Sequence, residues 1–293
     1  MAHITLNKLV IVGVGLIGGS FALALRKAGI ANNIVGIGRG QKNMQRALNL
    51  GVIDEIAKDM ASALQDADFV LLAMPVGQTK NIMAQIAPHL RTGTVVSDAG
   101  STKQDVVTAA RNHLDNNLKN FVPGHPIAGA EYSGVLAAQD SLYIDKHVIL
   151  TPIKETHITA IEITTALWQA CGAKVSQMQV AEHDETLAAT SHLPHILAFT
   201  LMNYLRNNSN HPRSLLHFAG SGFRDFTRIA SSSPEMWRDI CLANREALLK
   251  QIAAYQNELN TIQAVLTNVD GEALEKAFSQ AREMREDWLS RKN

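Results

Sequence analysis

The chain has 293 residues, 46% of them hydrophobic, and its 27 basic side chains balance its 27 acidic ones to a formal charge of zero. That length and apolar content suit about two domains with buried cores, and a balanced charge without a basic block carries no electrostatic footprint for nucleic acid or an anionic membrane surface. Cys171 and Cys241 are the only cysteines, too few and too isolated for a disulfide framework or a cysteine-rich zinc site, so a reducing cytoplasm is the expected setting.

The first predicted element is an apolar strand, Lys8-Leu-Val-Ile-Val12, which runs into Gly13, Gly15 and Gly18 and then into a helix containing Phe21-Ala-Leu-Ala-Leu-Arg26. Between a strand and a helix, G-x-G-x-x-G spacing is the turn that dinucleotide binding requires. Gly13 allows the tight turn, Gly15 leaves no Cβ between backbone and pyrophosphate, and Gly18 lets the helix pack close to the strand. The phosphates then meet the helix N-terminus, with Leu16 and Ile17 among the expected cofactor contacts. The run from Leu9 to Leu25 is apolar enough to mimic a signal or membrane segment, but glycines at phosphate-loop spacing and the lack of a charged leader favour strand, turn and helix.

A second strand, Asn33 to Arg39, follows about 20 residues on, where such folds read the ribose. Next come a helix from about Asn43 to Leu50, a strand from Asp68 to Met74, a helix from about Thr79 to Leu90 and a strand from Thr94 to Asp98. Met74 and Pro75, at a strand end, join the expected cofactor contacts. Short apolar strands alternating with amphipathic helices predict a doubly wound, mostly parallel Rossmann-type sheet. Further strands near 120–123, 147–151 and 173–177 are expected to extend it, which makes residues 1–179 a dinucleotide-binding domain.

From Val180 onward the pattern is helical: about 181–206, 213–230, 234–266 and 271–290. Pro234 after Ser233 is a good helix start, with the serine as N-cap. Leu248, Ile252, Tyr255, Leu259, Ile262 and Leu266 step by four and three, an apolar stripe of about five turns that neighbouring helices or a second subunit must cover. Residues 180–293 are therefore expected to form an all-α domain for substrate binding and homodimerisation.

Four segments carry candidate chemistry. In Gly124-His125-Pro126, the proline biases His125 into an extended conformation, which projects its ring from a loop toward the nicotinamide end of the cleft. An imidazole is suited to accept a proton near neutral pH. Asp98-Ala-Gly-Ser101-Thr-Lys103 follows a strand end, so Ser101 can orient His125 or hydrogen-bond a substrate hydroxyl; it can also cap the helix beginning near Gln104, and the two roles can coexist. In the helical half, Ser191-His192-Leu-Pro-His195 sets two imidazoles on one face of a helix that Pro194 starts or kinks. A metal needs a further ligand, for which His183 and Asp184 are the nearby source, but no metalloprotease-type spacing or motif carboxylate is present and no metal is expected. Arg224 and Arg228, four apart, offer a bidentate clamp for a carboxylate or else a solvated helix face.

Taken in order, Gly-x-Gly-x-x-Gly-Gly-Ser, Asp-x-Gly-Ser-x-Lys, Gly-His-Pro-Ile-Ala-Gly-x-Glu-x-Ser-Gly, Ser-His-Leu-Pro-His and Phe-x-Asp-Phe-Thr-Arg-Ile-Ala make a set that closely resembles the prephenate/arogenate (cyclohexadienyl) dehydrogenases of tyrosine biosynthesis. The resemblance spans nearly the entire chain and implies oxidative decarboxylation of a dienyl dicarboxylate with hydride transfer to NAD(P). It implies that His125 is the catalytic histidine taking the proton of the ring C4 hydroxyl and that Ser101 hydrogen-bonds both. His195 and Arg228 match substrate-holding residues, and His192 a supporting one. Glu131 falls where a family glutamate joins an active-site ion network. Asp225, Met236 and Trp237 match positions contributed near the site across the family's dimer interface.

The cofactor preference is read from the residues. NAD-preferring sites end the second strand with a carboxylate for the ribose diol, whereas here Gly38 and Arg39 stand there, and a guanidinium attracts a 2′-phosphate. NADP is the expected cofactor, with NAD the alternative, and prephenate the expected substrate, with arogenate or dual use the alternative. A β-hydroxyacid dehydrogenase is disfavoured because the helix around Leu187 to Asn203 offers histidines and no lysine. A non-catalytic NADP sensor is the reading of another class.

Overall fold

The structure, a computed structural model, describes residues 4–129, 132–208 and 211–291. Strand β1 (Leu6–Val12) is followed by helix α1 (Leu16–Lys27), β2 (Ala31–Ile37), α2 (Gln41–Asn49), β3 (Glu55–Ile56), α3 (Met60–Leu64), β4 (Phe69–Leu72), α4 (Thr79–Ile86), β5 (Val95–Asp98), α5 (Gln104–His113) and β6 (Phe121–Val122). These strands form one parallel sheet in the order β3-β2-β1-β4-β5-β6. Because β1 starts a wing on each side, the order reverses between β1 and β4, and a crevice opens beyond their C-terminal ends, where doubly wound folds bind ligands.

The continuous apolar runs follow from burial on both faces. Along β1, Leu9 and Ile11 point into one core with Phe21, Trp168 and Tyr143, whereas Val10 and Val12 point into the other with Met83, Ile86 and Val106. Aromatic rings anchor the first layer, where Phe21 lies 4.5 Å from Trp168 and Trp168 lies 5.0 Å from Tyr143.

The last strands differ from expectation. β7 (Gly124–Pro126), β8 (His147–Leu150) and β9 (Lys174–Gln177), with helix α6 (Ile158–Ala170) before β9, do not extend the large sheet. They form a separate three-stranded sheet in which β7 runs antiparallel to β8 and β8 parallel to β9. Pro123, which has no N–H to give to a ladder, separates β6 from β7, and its carbonyl accepts from Thr151 instead.

The helices that follow are more broken than the hydrophobic period indicates. α7 (Val180–Leu187) passes through a π-turn, Ala188–His192, into α8 (Leu193–Asn207), with Pro194 in the first turn of α8. A proline there cannot donate to the preceding turn and crowds the carbonyl four residues back, so the helix widens rather than stops. α9 (Pro212–His217) and α10 (Ser221–Thr227) are divided near Gly220, and a 3₁₀ turn, Arg228–Ser231, precedes α11 (Pro234–Ala243). Ser233 caps α11 by accepting from the Met236 amide, as its sequence predicts. Val76, Trp237 and Ile240 make a small third core with Phe199, which fastens α8 and α11 to the segment after β4.

By density of contacts, Met1–Arg245 forms one compact unit and Glu246–Asn293 another. The second consists of α12 (Arg245–Thr267) from Glu246 onward and α13 (Gly271–Ser290). Leu259 and Leu266 on α12 and Phe278, Met284 and Trp288 on α13 are more than half exposed. Among the described residues no helix is long and apolar enough to cross a membrane.

Candidate active site

All strands of the large sheet are parallel, so the turns after β1, β2, β4 and β5 gather at one rim. Gly13 has φ +98°, and a Cβ on it would sit 2.7 Å from the Ala73 carbonyl oxygen, so neither the conformation nor the space admits another residue. A Cβ on Gly18 would lie 2.4 Å from the Gly13 carbonyl oxygen and 2.7 Å from Ile11, which is the close helix–strand approach. Gly15 differs, because nothing lies within 4 Å of its would-be Cβ. No side chain caps α1, leaving the first-turn amides of Leu16 and Ile17 facing that open space. An anionic group fits such a helix terminus. Met74 is half-buried and Pro75 exposed just past β4, and Arg39 is exposed just past β2.

His125 stands on strand β7 rather than on a loop, and its ring is almost wholly buried, with 9% of the residue exposed. Its Nδ1 lies 2.9 Å from His183 Nε2, and His183 Nδ1 lies 2.8 Å from Asp184 Oδ1. Burial pushes the Asp184 carboxyl up, but hydrogen bonds from His183 and from the Gln104 and Lys103 amides outweigh it and hold the group below the usual carboxylate range. Burial moves His183 down against the opposite pull of Asp184. Burial, then the nearby His183, Lys103 and His192, put His125 well below the usual imidazole range.

The hydrogen-bond geometry, with an ionised carboxylate at one end, assigns the protons. Asp184 is ionised and only accepts, so His183 carries its proton on Nδ1 and offers a lone pair at Nε2. His125 must then donate through Nδ1, which leaves its Nε2 unprotonated and basic. A carboxylate one imidazole away thus sets the tautomer of His125, the role an orienting carboxylate plays for a general base.

Behind His125 the backbone is clamped. Lys103, fully buried, donates through Nζ to Asp98 and, at 2.8 Å, to the Gly124 carbonyl, while Asp98 Oδ1 accepts from the Gly124 amide at 3.1 Å. Ser101 sits half-buried in the same loop and makes no hydrogen bond to His125 among the described contacts. Nor does it cap α5. Asp184 takes that role, accepting from the Lys103 and Gln104 amides at 2.9 Å each. A cap delivered from α7 supplies a full negative charge to the helix end, which a serine hydroxyl cannot.

The second imidazole pair lies alongside. His192 is 1% exposed and its Nδ1 lies 3.1 Å from the Asn244 amide nitrogen, so its Nε2 bears the proton; that atom is buried without a protein partner among the described residues. Burial brings the His192 pKa down to about 4. His195 stacks on Trp237 of its own chain at 3.6 Å and donates from Nδ1 to the Ser191 carbonyl at 2.8 Å. Burial lowers its pKa, the Ser191 bond raises it, and the Arg228 charge lowers it again. Arg228 opens the exposed 3₁₀ turn before α11, and Asp225 is exposed on α10. Met236 is partly exposed at the start of α11. Glu131 lies outside the described residues.

The fold therefore brings His125 within electrostatic reach of His192, His192 of His195 and His195 of Arg228, although the four span about a hundred positions. Sequence reasoning considered His183 and Asp184 only as metal ligands and gave Lys103 and Asn244 no role. The sequence signals for these were slight: a His-Asp pair in a helix and a lysine closing the Asp-x-Gly-Ser-x-Lys motif.

Comparison with known proteins gives a consistent set of matches. The family model described as prephenate dehydrogenase, nucleotide-binding domain, matches residues 21–177, and that described as prephenate dehydrogenase, dimerization domain, matches residues 179–280. A prephenate dehydrogenase of Bacillus subtilis is 38% identical over 96% of this chain and 76% of its own. A cyclohexadienyl dehydrogenase of Zymomonas mobilis is 33% identical over 95% of each. The crystal structure of prephenate dehydrogenase from A. aeolicus, in complex with hydroxyphenyl propionate and NAD+, superposes with a TM-score of 0.92 at 37% identity, covering 97% of this chain and 99% of that one.

Proposed function

This chain belongs to the prephenate dehydrogenase family, and on that premise we propose that it catalyses the oxidative decarboxylation of prephenate to 4-hydroxyphenylpyruvate in tyrosine biosynthesis, with NADP as its preferred cofactor. The observation that carries the reading is the hydrogen-bonded chain from Asp184 through His183 to His125 Nδ1, which turns Nε2 of His125 into the free basic nitrogen of the ring. His125 Nε2 accepts the proton of the ring C4 hydroxyl as hydride departs from C4. The bound dinucleotide supplies the hydride acceptor. Loss of the C1 carboxylate as CO2 then makes the ring aromatic, and His125 returns its proton to the phenolate oxygen. The protein needs a base, a fixed geometry and cationic anchors rather than a strong electrophile.

Ser101, from the loop after β5, hydrogen-bonds the hydroxyl. Arg228 anchors a substrate carboxylate. His195 presents an unprotonated Nε2, so a carboxylate placed against it favours proton uptake by that ring. His192 offers a buried Nε2–H for a substrate oxygen. Glu131 and Asp225 complete the proposed ion network. Gly13, Gly15 and Gly18, the Leu16 and Ile17 amides, Met74 and Pro75 cradle the dinucleotide, and Arg39 takes the 2′-phosphate.

We place the dinucleotide-binding domain at 1–179 and the substrate-binding and dimerisation domain at 180–293, a division supported by family matches that meet between 177 and 179. The exposed leucines and aromatics of α12 and α13 support a homodimer. We place the enzyme in the cytoplasm. Turnover of prephenate and of arogenate, each with NADP and with NAD, followed by absorbance of the reduced nicotinamide, tests the whole reading. The expected order is prephenate over arogenate and NADP over NAD. No turnover with any pairing would refute it.

A further inference from the structure

Asn43, the third residue of α2, is half-buried and bonded at both ends of its amide. Its Nδ2 donates to the Val14 carbonyl at 2.7 Å, between Gly13 and Gly15, and its Oδ1 accepts from the Val135 amide at 3.2 Å. Val14 and Val135 are both buried in the core beneath. One neutral side chain thus ties the dinucleotide turn to a segment more than ninety residues away.

That segment, Gly134–Tyr143, is strapped across α1 at two more points. The Gln139 amide donates to Ser20 Oγ at 3.0 Å, and the buried Tyr143 hydroxyl donates to the Ile17 carbonyl at 2.6 Å. A Cβ on Gly19 would come within 2.9 Å of Ala138 Cβ, so helix and strap are in close contact. Gly134 has φ +84°, which sets the direction in which the Val135 amide points. The strap leads into β8, whose Ile149 is the cross-strand partner of His125. Ser20 and Tyr143 hold the strap to the body of the helix. Tyr143 meets Ile17 in the first turn of α1, whereas Asn43 reaches the Val14 peptide between Gly13 and Gly15, from the helix that begins directly after Gly40, beside Arg39.

We propose that Asn43 is a positioning residue that joins the dinucleotide turn to the Gly134–Tyr143 strap, so that cofactor and substrate bind cooperatively. A cofactor phosphate settling on the turn fixes the orientation of the Val14 peptide. The Asn43 amide passes that constraint to Val135, and strap and β8 carry it to His125. A ligand held by His125 acts back on the turn by the same route, since coupling between two sites is reciprocal. The inference rests on the proposed dehydrogenase reading for the identity of the second ligand.

The test measures the dissociation constant of NADPH by fluorescence, alone and with saturating 4-hydroxyphenylpyruvate, for the wild type, Asn43→Ala and Asn43→Asp. In the wild type the product should tighten NADPH by at least about fivefold. In Asn43→Ala, NADPH alone should weaken roughly tenfold, the loss expected of two neutral hydrogen bonds, and the tightening should fall to within about twofold. Asn43→Asp keeps the acceptor for Val135 and loses the donor to Val14. Its charge weakens NADPH equally in both arms, so the ratio still reports coupling, and it serves if the alanine variant melts early. A variant that keeps the wild-type ratio, or a wild type that shows none, overturns the role of Asn43. Absence of wild-type turnover in the steady-state assay is a separate result and counts against the activity instead.

Discussion

Replacing His183 with leucine isolates the hydrogen bond that fixes the tautomer of His125. The substitution conserves volume in a fully buried position and removes the acceptor 2.9 Å from His125 Nδ1. Asp184 loses one of three hydrogen bonds but keeps the Lys103 and Gln104 amides, so the start of α5 stays capped. The catalytic cost arises when His125 takes the proton, because the cation then has no acceptor at Nδ1. A hydrogen bond to a charged group contributes about 1.5–3 kcal/mol, so kcat should fall roughly 10- to 150-fold. His183 touches neither ligand in this account, so both KM values should stay within about threefold. Because the two histidines act as a unit, adding His183→Leu to His125→Asn should cost almost nothing further. Steady-state kinetics on the two single variants and the double variant read all three quantities. Wild-type kcat in His183→Leu, or a double variant slower than His125→Asn by the full single-variant factor, would refute the relay.

Gly13→Ala forces a side chain into φ +98° and to within 2.7 Å of the Ala73 carbonyl, a left-handed cost of about 1–2 kcal/mol before the clash is counted; calorimetric titration should show cofactor binding lost, and wild-type affinity would contradict the turn geometry. Arg39→Ala should raise the KM for NADP about 10- to 100-fold, the loss of a charge-assisted contact, and leave that for NAD unchanged; an equal effect on both would mean that Arg39 does not read the 2′-phosphate. The unfolded chain protonates His192 near 6.5 and the folded chain only near 4, so the unfolded state takes up the proton first as pH falls. The stability this group contributes is complete above about 6.5 and drops by about 3 kcal/mol on the way to 4. Urea unfolding across that range should show the slope, and His192→Gln, which can still accept from Asn244, should flatten it. An unchanged slope would place the titration elsewhere.

The alternating halves of the large sheet and the glycine turn were legible because both are local. Strand period, turn glycines and helix start occupy neighbouring positions, and each glycine has the environment its spacing required. The second sheet was not legible, since β8 reads like the apolar strands of the large sheet and differs in which partner it finds, while β7, Gly-His-Pro, carries no strand signal. The π-turn before Pro194 escaped for a related reason: a proline inside a helical period signals disruption without saying whether the helix kinks, widens or ends. His125 was found from a local motif. Its partner stands 58 positions away, and the Asp184 carboxylate that caps α5 lies 81 positions from Lys103. Ser101 was the cap expected from the sequence, but a carboxylate brought by the fold took that role.

Catalysis depends on one imidazole nitrogen, His125 Nε2, being the base that removes the hydroxyl proton. The most direct measurement is the single-turnover rate of His125→Asn with saturating prephenate and NADP, alongside its cofactor dissociation constant. Chemistry slowed about 10²- to 10⁴-fold with cofactor affinity unchanged is the predicted result. A rate equal to that of the wild type would contradict it.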